Sequence, residues 1–362
     1  MKKSICTLLC LLALLVGCQQ ASAPATSSSA DAPASTSTRP EEDSSELAST
    51  EPLPPAEESY LSPYSGLPIR KDQVNKRPLM VMIDNQKRAR PQANLSSAAI
   101  VWEMRVEGEF TRYLALFERD DQAADHLIGP IRSARPNFVT IAHQYGGLYT
   151  HHGGSKDGLQ LIRTLGMQDL DGMNLMGKLF FRYGKSGKKA PHNSYLKLGD
   201  AFRYAEAHGW QAEGKGPGFL FHPHFEALAS GKSAQRFRLN YTGKLNNILF
   251  EYDPSDQTYT RTREGRLQVD EGSGQVVRAK NVILQYADSY LYDRKGHRAF
   301  HDTGSGRGYY VTGGKYQEIT WTKKDDHTSP TRFFTKEGAE LTLNPGQTWI
   351  CVIDKKMDPH FE

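Results

Sequence analysis

Apolar positions divide this chain into three stretches with different patterns. An apolar run, interrupted only by Thr7, extends from Ile5 to Val16, whereas residues 19–59 contain only Leu47 and Leu53 as large apolar side chains. From about Tyr60 to the end, short apolar runs recur between Gly, Pro, Asn and Asp residues. Since only this last stretch can bury enough apolar surface to fold, we expect the folded part of the chain to begin near residue 60.

The first part of this folded region mixes strand and helix periods. Continuous apolar runs predict buried strands, Pro136 can begin a helix, and the spacing of Leu159, Ile162 and Leu165 predicts another that ends at Gly166. These features predict an α/β domain over residues 60–225. The predicted strands are 79–83, 100–102, 110–118 and 148–151, and a third predicted helix covers 200–207.

The second part, residues 235–362, has mainly a period of two, which is typical of strands with one buried face. Gly313-Gly314 suits a two-residue hairpin turn, because both central positions must tolerate positive φ. A mainly antiparallel β domain is therefore predicted after a glycine-rich boundary at residues 210–235, and the fold class is α+β. The predicted strands are 248–252, 276–286, 309–321 and 348–353.

The amino terminus has the layout of a bacterial lipoprotein signal peptide. Lys2-Lys3 precede the apolar run, and Leu15-Val16-Gly17-Cys18 provides small residues and a cysteine at the cleavage site. A membrane-spanning helix is the alternative, but the run is shorter than the roughly 20 residues that a bilayer requires. We expect residues 1–18 to be the signal, Cys18 to carry diacylglycerol and palmitate, and the protein to be anchored to the cell membrane on its extracytoplasmic face.

Residues 19–59 are expected to form a disordered tether, with a reach of about 35 Å. The tether carries a charge of −7 and the signal +2, so the net charge of +4 leaves +9 on the body. A basic body near a membrane suggests an anionic envelope polymer or an envelope protein as partner, with simple solubility as the alternative. Nucleic-acid binding would need a continuous basic face with exposed aromatic residues, and is not expected.

Polar residues follow several predicted strands of the first domain. Arg132 and Arg135 precede the helix that begins at Pro136, where backbone N–H groups already favour an anion. The carboxyl ends of strands in an α/β sheet commonly bind ligands. The candidate ligand-binding residues are Asp84, Asn85, Arg132, Ser133, Arg135, His151, His152, Gly153, Gly154, Ser155, His192 and Asn193.

Two classes of function remain open. The first is binding or scaffolding, in which these residues hold an anionic envelope component or a protein partner. The second is an envelope hydrolase or transferase acting on a phosphorylated or acyl substrate, with a histidine as general base. A histidine that contacts Ser155 and is oriented by Asp84 would favour the enzyme.

Simpler structural roles remain open for several of these residues. The arginines could form ordinary ion pairs. No motif indicates a cofactor or a metal site, although His151, His152, His192 and Asp84 are potential zinc ligands. Glu103, Arg105 and Glu107 alternate as a solvent-facing strand would, and Cys351 lies in a run typical of a buried strand.

The same polar stretches carry a resemblance to a known family. Asp84-Asn85, Gly129–Arg135, Gly153–Ser155 and Pro191–Asn193 resemble signature positions of the YerB-like lipoproteins. The second half is similar to that family's carboxy-terminal domain at Trp321, Pro330–Phe333 and Leu343–Ile350. The resemblance implies a membrane-anchored, two-domain extracytoplasmic protein of unknown function, with no catalytic residue to transfer.

Overall fold

A computed structural model describes residues 60–214, 216–242 and 245–362. The predicted signal peptide, the lipidation site Cys18 and the predicted tether lie outside these residues. The helices in the described ranges are α1 (Pro136–Gln144), α2 (Lys156–Thr164) and α3 (Leu198–Ala207), and single 3₁₀ turns occur at Lys71–Gln73, Lys87–Ala89, Leu95–Ser97 and Gly184–Ser186.

Strands occupy most of the remaining regular structure. Those of the first half are β1 (Tyr60–Leu61), β2 (Pro68–Ile69), β3 (Leu79–Asp84), β4 (Ile100–Arg105), β5 (Thr111–Phe117), β6 (Leu127–Ile128), β7 (Leu148–His151), β8 (Asp169–Asp171), β9 (Phe181–Arg182) and β10 (Ser194–Lys197). Those of the second half are β11 (Leu220–Phe221), β12 (Lys232–Ser233), β13 (Arg236–Thr242), β14 (Leu245–Asp253), β15 (Thr258–Arg263), β16 (Arg266–Leu267), β17 (Arg278–Ala279), β18 (Asn281–Tyr286), β19 (Ser289–Leu291), β20 (Arg298–Phe300), β21 (Gly304–Thr312), β22 (Lys315–Lys323), β23 (Arg332–Thr335), β24 (Thr342–Leu343), β25 (Thr348–Ile353) and β26 (His360–Phe361).

One sheet extends through both halves of the chain. Its order is β12-β22-β21-β18-β25-β4-β5-β3-β7-β8, with β23 paired to β22. The halves join where β4 pairs in parallel with β25, from Ile100 opposite Thr348 to Glu103 opposite Cys351. The described residues accordingly lie in one compact unit.

The predicted α+β fold class is confirmed. The first half contains the three helices of the described ranges and the parallel pairs β3–β7 and β7–β8. Antiparallel pairs dominate the second half, which includes a six-stranded sheet with β13, β14 and β15 at its centre. The predicted boundary region lies between α3 and β13 and contains only the two-residue strands β11 and β12 among its described residues.

The central sheet is buried on both faces. Leu79, Val81 and Ile83 of β3 face a core that includes side chains of α3 and the six-stranded sheet. Met80 and Met82 face a second core that includes side chains of α1 and α2. This alternation follows from the two-residue period of a strand, and it determines which face each polar residue at the end of β3 occupies.

Local sequence signals correspond to several observed elements. Pro136 is the first residue of α1, and Gly313-Gly314 joins β21 to β22 with φ of +58° and +75°. Cys351 is fully buried, and burial raises the pKa of its thiol to about 12, so it is a packing residue rather than a reactive one.

The expectation of a solvent-facing strand at Glu103 is wrong. Its side chain is fully buried and forms ion pairs with Arg261 and Arg263 of β15, the latter at 2.8 Å. Although burial raises the pKa of Glu103, these two guanidinium groups outweigh burial and lower it below its usual value. The ionised carboxylate thus connects the central sheet to the six-stranded sheet.

Candidate functional site

Several of the candidate residues meet at the carboxyl ends of two neighbouring parallel strands, β3 and β7. The extended segment that contains Arg132 crosses this edge of the sheet. The Arg132 amide donates to Met82 O at 2.8 Å, and the Arg132 carbonyl accepts from the His152 amide at 3.0 Å. The Asp84 amide donates to Pro130 O on the same segment. Backbone pairing therefore places Asp84, Arg132 and His152 at one location.

Asp84 is the buried centre of this site. His192 donates from Nδ1 to its Oδ2 at 2.8 Å, and Arg132 Nε lies 3.3 Å from the same oxygen. The Gln86 amide donates to Oδ1. Burial alone raises the pKa of Asp84, but His192, this amide and the neighbouring arginines together lower it, so the carboxylate is ionised at neutral pH.

His152 and Arg182 form a second group of contacts at the same sheet edge. His152 Nδ1 lies 2.8 Å from Ser194 Oγ, and Arg182 approaches both His152 Nε2 at 3.5 Å and Asn193 Oδ1 at 3.4 Å. Burial, followed by the charges of Arg182 and Arg132, lowers the pKa of His152, so its imidazole is neutral at neutral pH. We call the set Asp84, Arg132, His152, Arg182, Asn193 and His192 the polar ring.

Residues 182–193 supply Arg182, His192 and Asn193 to the polar ring, and they contact the second half of the chain through Lys188. Lys188 Nζ donates to Tyr195 Oη at 2.9 Å and pairs with Glu271, which also accepts from Tyr195. The side-chain amide of Asn193 donates to Lys188 O. These contacts hold Arg182, His192 and Asn193 against the sheet edge.

Arg135 does not join the polar ring. Its Nε and Nη2 pair with Glu107 at 3.0 and 2.9 Å, and its Nη1 donates to the carbonyl of Ala134. Glu107 also pairs with the buried Arg112, whose Nη1 donates to the Ser133 carbonyl. Burial, together with the charge of Arg135, lowers the pKa of Arg112 to about 10.

His151 is fully buried beneath the glycine-rich turn. Its Nδ1 donates to Gly153 O at 2.9 Å, and its Nε2 lies 2.9 Å from Asp169 on β8. Gly153 has a φ of +65°, and its amide donates to Asp171 at 2.7 Å. These contacts shape the turn between β7 and α2.

Ser155 and Gly154 have structural contacts. Ser155 precedes α2 and accepts from the Gly158 amide at 3.2 Å, while Tyr292 Oη donates to it at 3.1 Å. In the described part of the chain, no histidine contacts Ser155. At Gly154 a Cβ atom would come within 3.0 Å of the Leu159 side chain, so a larger residue would force that side chain to move.

Asn85 lies on the opposite face of the sheet from Asp84, as the strand alternation requires. Its amide nitrogen donates to Thr111 Oγ1 at 2.8 Å, beside the buried Glu103, and its side-chain oxygen accepts from Gln92 at 3.1 Å. Asp84 and Asn85 are therefore adjacent in sequence but belong to two different sets of polar contacts.

Sequence reasoning missed Arg182. It lies in the two-residue strand β9, where no periodicity marks it, and its only signal is the basic composition of residues 182–189. Within the described ranges, no group of three or more His, Cys, Asp or Glu side chains is placed to hold a metal ion. The arrangement offers guanidinium and imidazole groups to an anion.

Comparison with known proteins identifies relatives for most of the chain. Residues 64–211 match the family model "Protein of unknown function (DUF3048) N-terminal domain", and residues 237–350 match the corresponding C-terminal domain. "Putative lipoprotein YerB" of Bacillus subtilis (strain 168) is 29% identical over 303 residues, covering 83% of this chain and 88% of that protein.

A solved structure shares the fold. The crystal structure of the Bacillus subtilis YerB protein matches with a TM-score of 0.73 and 28% identity, covering 83% of this chain and 99% of the solved one. No helix in the described residues is long and apolar enough to span a bilayer. Because both family models, the sequence relative and the solved fold agree, the chain belongs to the DUF3048 family of YerB-like lipoproteins, whose function is unknown.

Proposed function

We propose that this protein is a lipid-anchored extracytoplasmic protein that binds the phosphate or carboxylate of an anionic cell-envelope component at the polar ring. The sequence around Cys18 and the name of the sequence relative support the anchor. A tether of some 40 residues would leave the folded body free to reach envelope polymers.

The orientation of Arg132 carries the proposal. Its Nε faces the buried Asp84, while Nη1 and Nη2 have no hydrogen-bond partner among the described residues, and its side chain is 22% exposed. Asp84 thus orients the guanidinium group and leaves its outer edge for a ligand, an arrangement suited to bidentate recognition of phosphate or carboxylate. Arg182 adds a second cation, which leaves the polar ring with one positive charge in excess.

The proposal is tested by titrating poly(glycerol phosphate) into residues 57–362, which include the whole compact unit. Arg132→Ala combined with Arg182→Ala should weaken binding by about 30- to 1,000-fold, since each guanidinium contributes about 1–2 kcal/mol to a charged hydrogen bond. Arg203→Ala is the matched control, because Arg203 is exposed on α3 and pairs with Asp200.

Equal affinities of the wild type and the double variant would refute the proposed site. If no anionic probe binds, but the wild type captures an envelope protein that the double variant does not, the ligand is a protein rather than a polymer. Calorimetry and crosslinking in parallel distinguish these outcomes.

The Asp84–His192 pair favours a second candidate, a hydrolase or transferase. Because His192 donates from Nδ1 to Asp84, its Nε2 can accept a proton, and Nε2 has no hydrogen-bond partner in the described residues. Arg132 lies beside it and could stabilise developing negative charge. Ser155 is not the nucleophile in this scheme, so His192 would activate water.

Hydrolysis of bis-p-nitrophenyl phosphate and p-nitrophenyl acetate tests this candidate. Turnover should fall by at least about 100-fold in His192→Ala, the typical contribution of a general base. Turnover that does not exceed the uncatalysed rate, or that is unchanged in His192→Ala, would exclude the enzyme.

A further inference from the structure

A cleft lies on the other face of the central sheet, beyond Asn85. It has a volume of about 400 Å³ and separates the segment Lys87–Gln92 from the turn that joins β15 to β16. It uses no residue of the polar ring. We call it the basic cleft. The role proposed for it below does not depend on the function proposed for the polar ring.

The floor of the basic cleft carries more positive than negative charge. Arg263 lines it and is only 3% exposed, and this residue shares the carboxylate of Glu103 with the equally buried Arg261. Arg90 lies above them and pairs with Glu264 at 3.2 Å. Three guanidinium groups therefore face two carboxylates, and burial together with the charge of Arg263 lowers the pKa of Arg90.

The rim adds two further cations from opposite walls. Lys87 lies on the 3₁₀ turn and Arg266 on β16, both are exposed, and neither side chain has an ion-pair partner among the described residues. Arg90 is held in place on one wall, since its Nη2 donates to Asn85 O at 2.9 Å. A ligand between the walls would therefore meet positive charge from three sides.

One wall of the cleft is apolar. Leu267 is 48% exposed, and Pro91 and Val269 line the cleft beside it. An exposed leucine beside unpaired cations suits a ligand with an anionic head and an apolar chain, because such a ligand covers the leucine and neutralises the rim at once.

We propose that the basic cleft binds the phosphate head group of a lipid-like amphiphile. The phosphate lies between Lys87 and Arg266 and receives the guanidinium group of Arg90, while the apolar chain covers Leu267. A soluble inorganic phosphate would gain the charge contacts without the apolar one and would bind more weakly.

Calorimetry with dihexanoylphosphatidylglycerol, below its micelle concentration, tests the proposal on residues 57–362. Lys87→Gln combined with Arg266→Gln should weaken binding about tenfold, since two partly solvated cation–phosphate contacts are lost. Leu267→Ser should weaken binding of the lipid severalfold and leave that of glycerol phosphate unchanged. All three positions are exposed, so these variants should fold, which circular dichroism checks.

In the double variant Arg132→Ala, Arg182→Ala, which lacks the cations of the polar ring, the affinity of the basic cleft for this lipid should be unchanged, which separates the two sites. Unchanged affinity of Lys87→Gln, Arg266→Gln would overturn the site. Equal binding of dihexanoylphosphatidylcholine would overturn the requirement for net negative charge. Equal affinities for glycerol phosphate and the lipid, with no effect of Leu267→Ser, would overturn the assignment to an amphiphile.

Discussion

Asp84 and Asn85 show that a difference of one position along a strand places two side chains on opposite faces of the sheet. The two residues are neighbours at the end of β3, yet Asp84 contacts His192 and Arg132 on one face while Asn85 contacts Thr111 on the other. A shift of β3 by one residue would exchange the two side chains and disrupt both sets of contacts. Both proposed binding sites therefore depend on the register of β3.

At the residue scale, Asp84→Asn should destabilise the protein by about 3 kcal/mol at pH 7. The amide removes the charge that offsets the partly buried Arg132 and the buried Arg112, and unpaired buried charges are costly. Urea unfolding measures the change. Asp72→Asn is the control, because Asp72 pairs with Arg70 at an exposed position and should have no measurable effect.

The pH dependence of stability follows from the same carboxylate. The pKa of Asp84 is lower in the folded protein than in the unfolded chain, so its contribution is complete above its ordinary value near 3.8 and is lost as pH falls through the folded pKa. The difference between the wild type and Asp84→Asn should therefore narrow below about pH 4. A difference that stays constant from pH 7 to pH 3 would contradict this role.

At the element scale, helix α2 shows how a residue that suggests chemistry can serve structure. Ser155 follows a glycine-rich turn, as a nucleophile can, but its hydroxyl accepts from the Gly158 amide in the first turn of the helix. The Tyr292 hydroxyl from the second half donates to it as well. Its contacts are those of an N-terminal cap.

Ser155→Ala should lower the free energy of unfolding by about 1 kcal/mol, because the Gly158 amide loses its acceptor. Ser155→Asp should recover most of this loss, since a carboxylate also caps a helix. Denaturant titration of the three proteins checks both. If Ser155→Ala keeps full stability but loses binding of poly(glycerol phosphate), Ser155 is a ligand contact instead.

At the scale of the whole molecule, the two halves share their main sheet. Strand β25 lies between β4 and β18 and pairs in parallel with both. Trp349 of β25 packs edge-on against Tyr113 of β5 at 5.3 Å, and Glu103 pairs across to β15. Each half therefore completes the core of the other.

Residues 60–235 alone should not fold stably. The fragment would expose β4 as a long apolar edge and would remove the arginines of β15 that pair with Glu103. Size-exclusion chromatography and near-UV circular dichroism should show aggregation or loss of fixed packing, whereas residues 57–362 should unfold in one transition. A monomeric, cooperatively folded fragment would show that the halves are independent.

Prediction from the sequence worked best where contacts are local. The continuous apolar run at 79–83 and the largely apolar run at 348–353 indicate strands because strands buried on both faces need no polar alternation. Pro136 and Gly313-Gly314 specify a helix start and a turn through their own backbone preferences. Arg182 carries no such signal, because its role comes from approaching His152 across a loop.

The sequence by itself determined the α+β elements, the polar residues at strand ends and the layout of an amino-terminal lipid signal, since each depends on neighbours along the chain. Only the tertiary structure decided that Glu103 is buried, that Arg135 pairs with Glu107 and that Arg132 faces outward. The partners of Glu103 lie 158 and 160 residues away, and the sign of a charge does not reveal which distant charge will neutralise it. The tertiary fold determines the pairing, because a buried charge without an oppositely charged partner has a large desolvation cost.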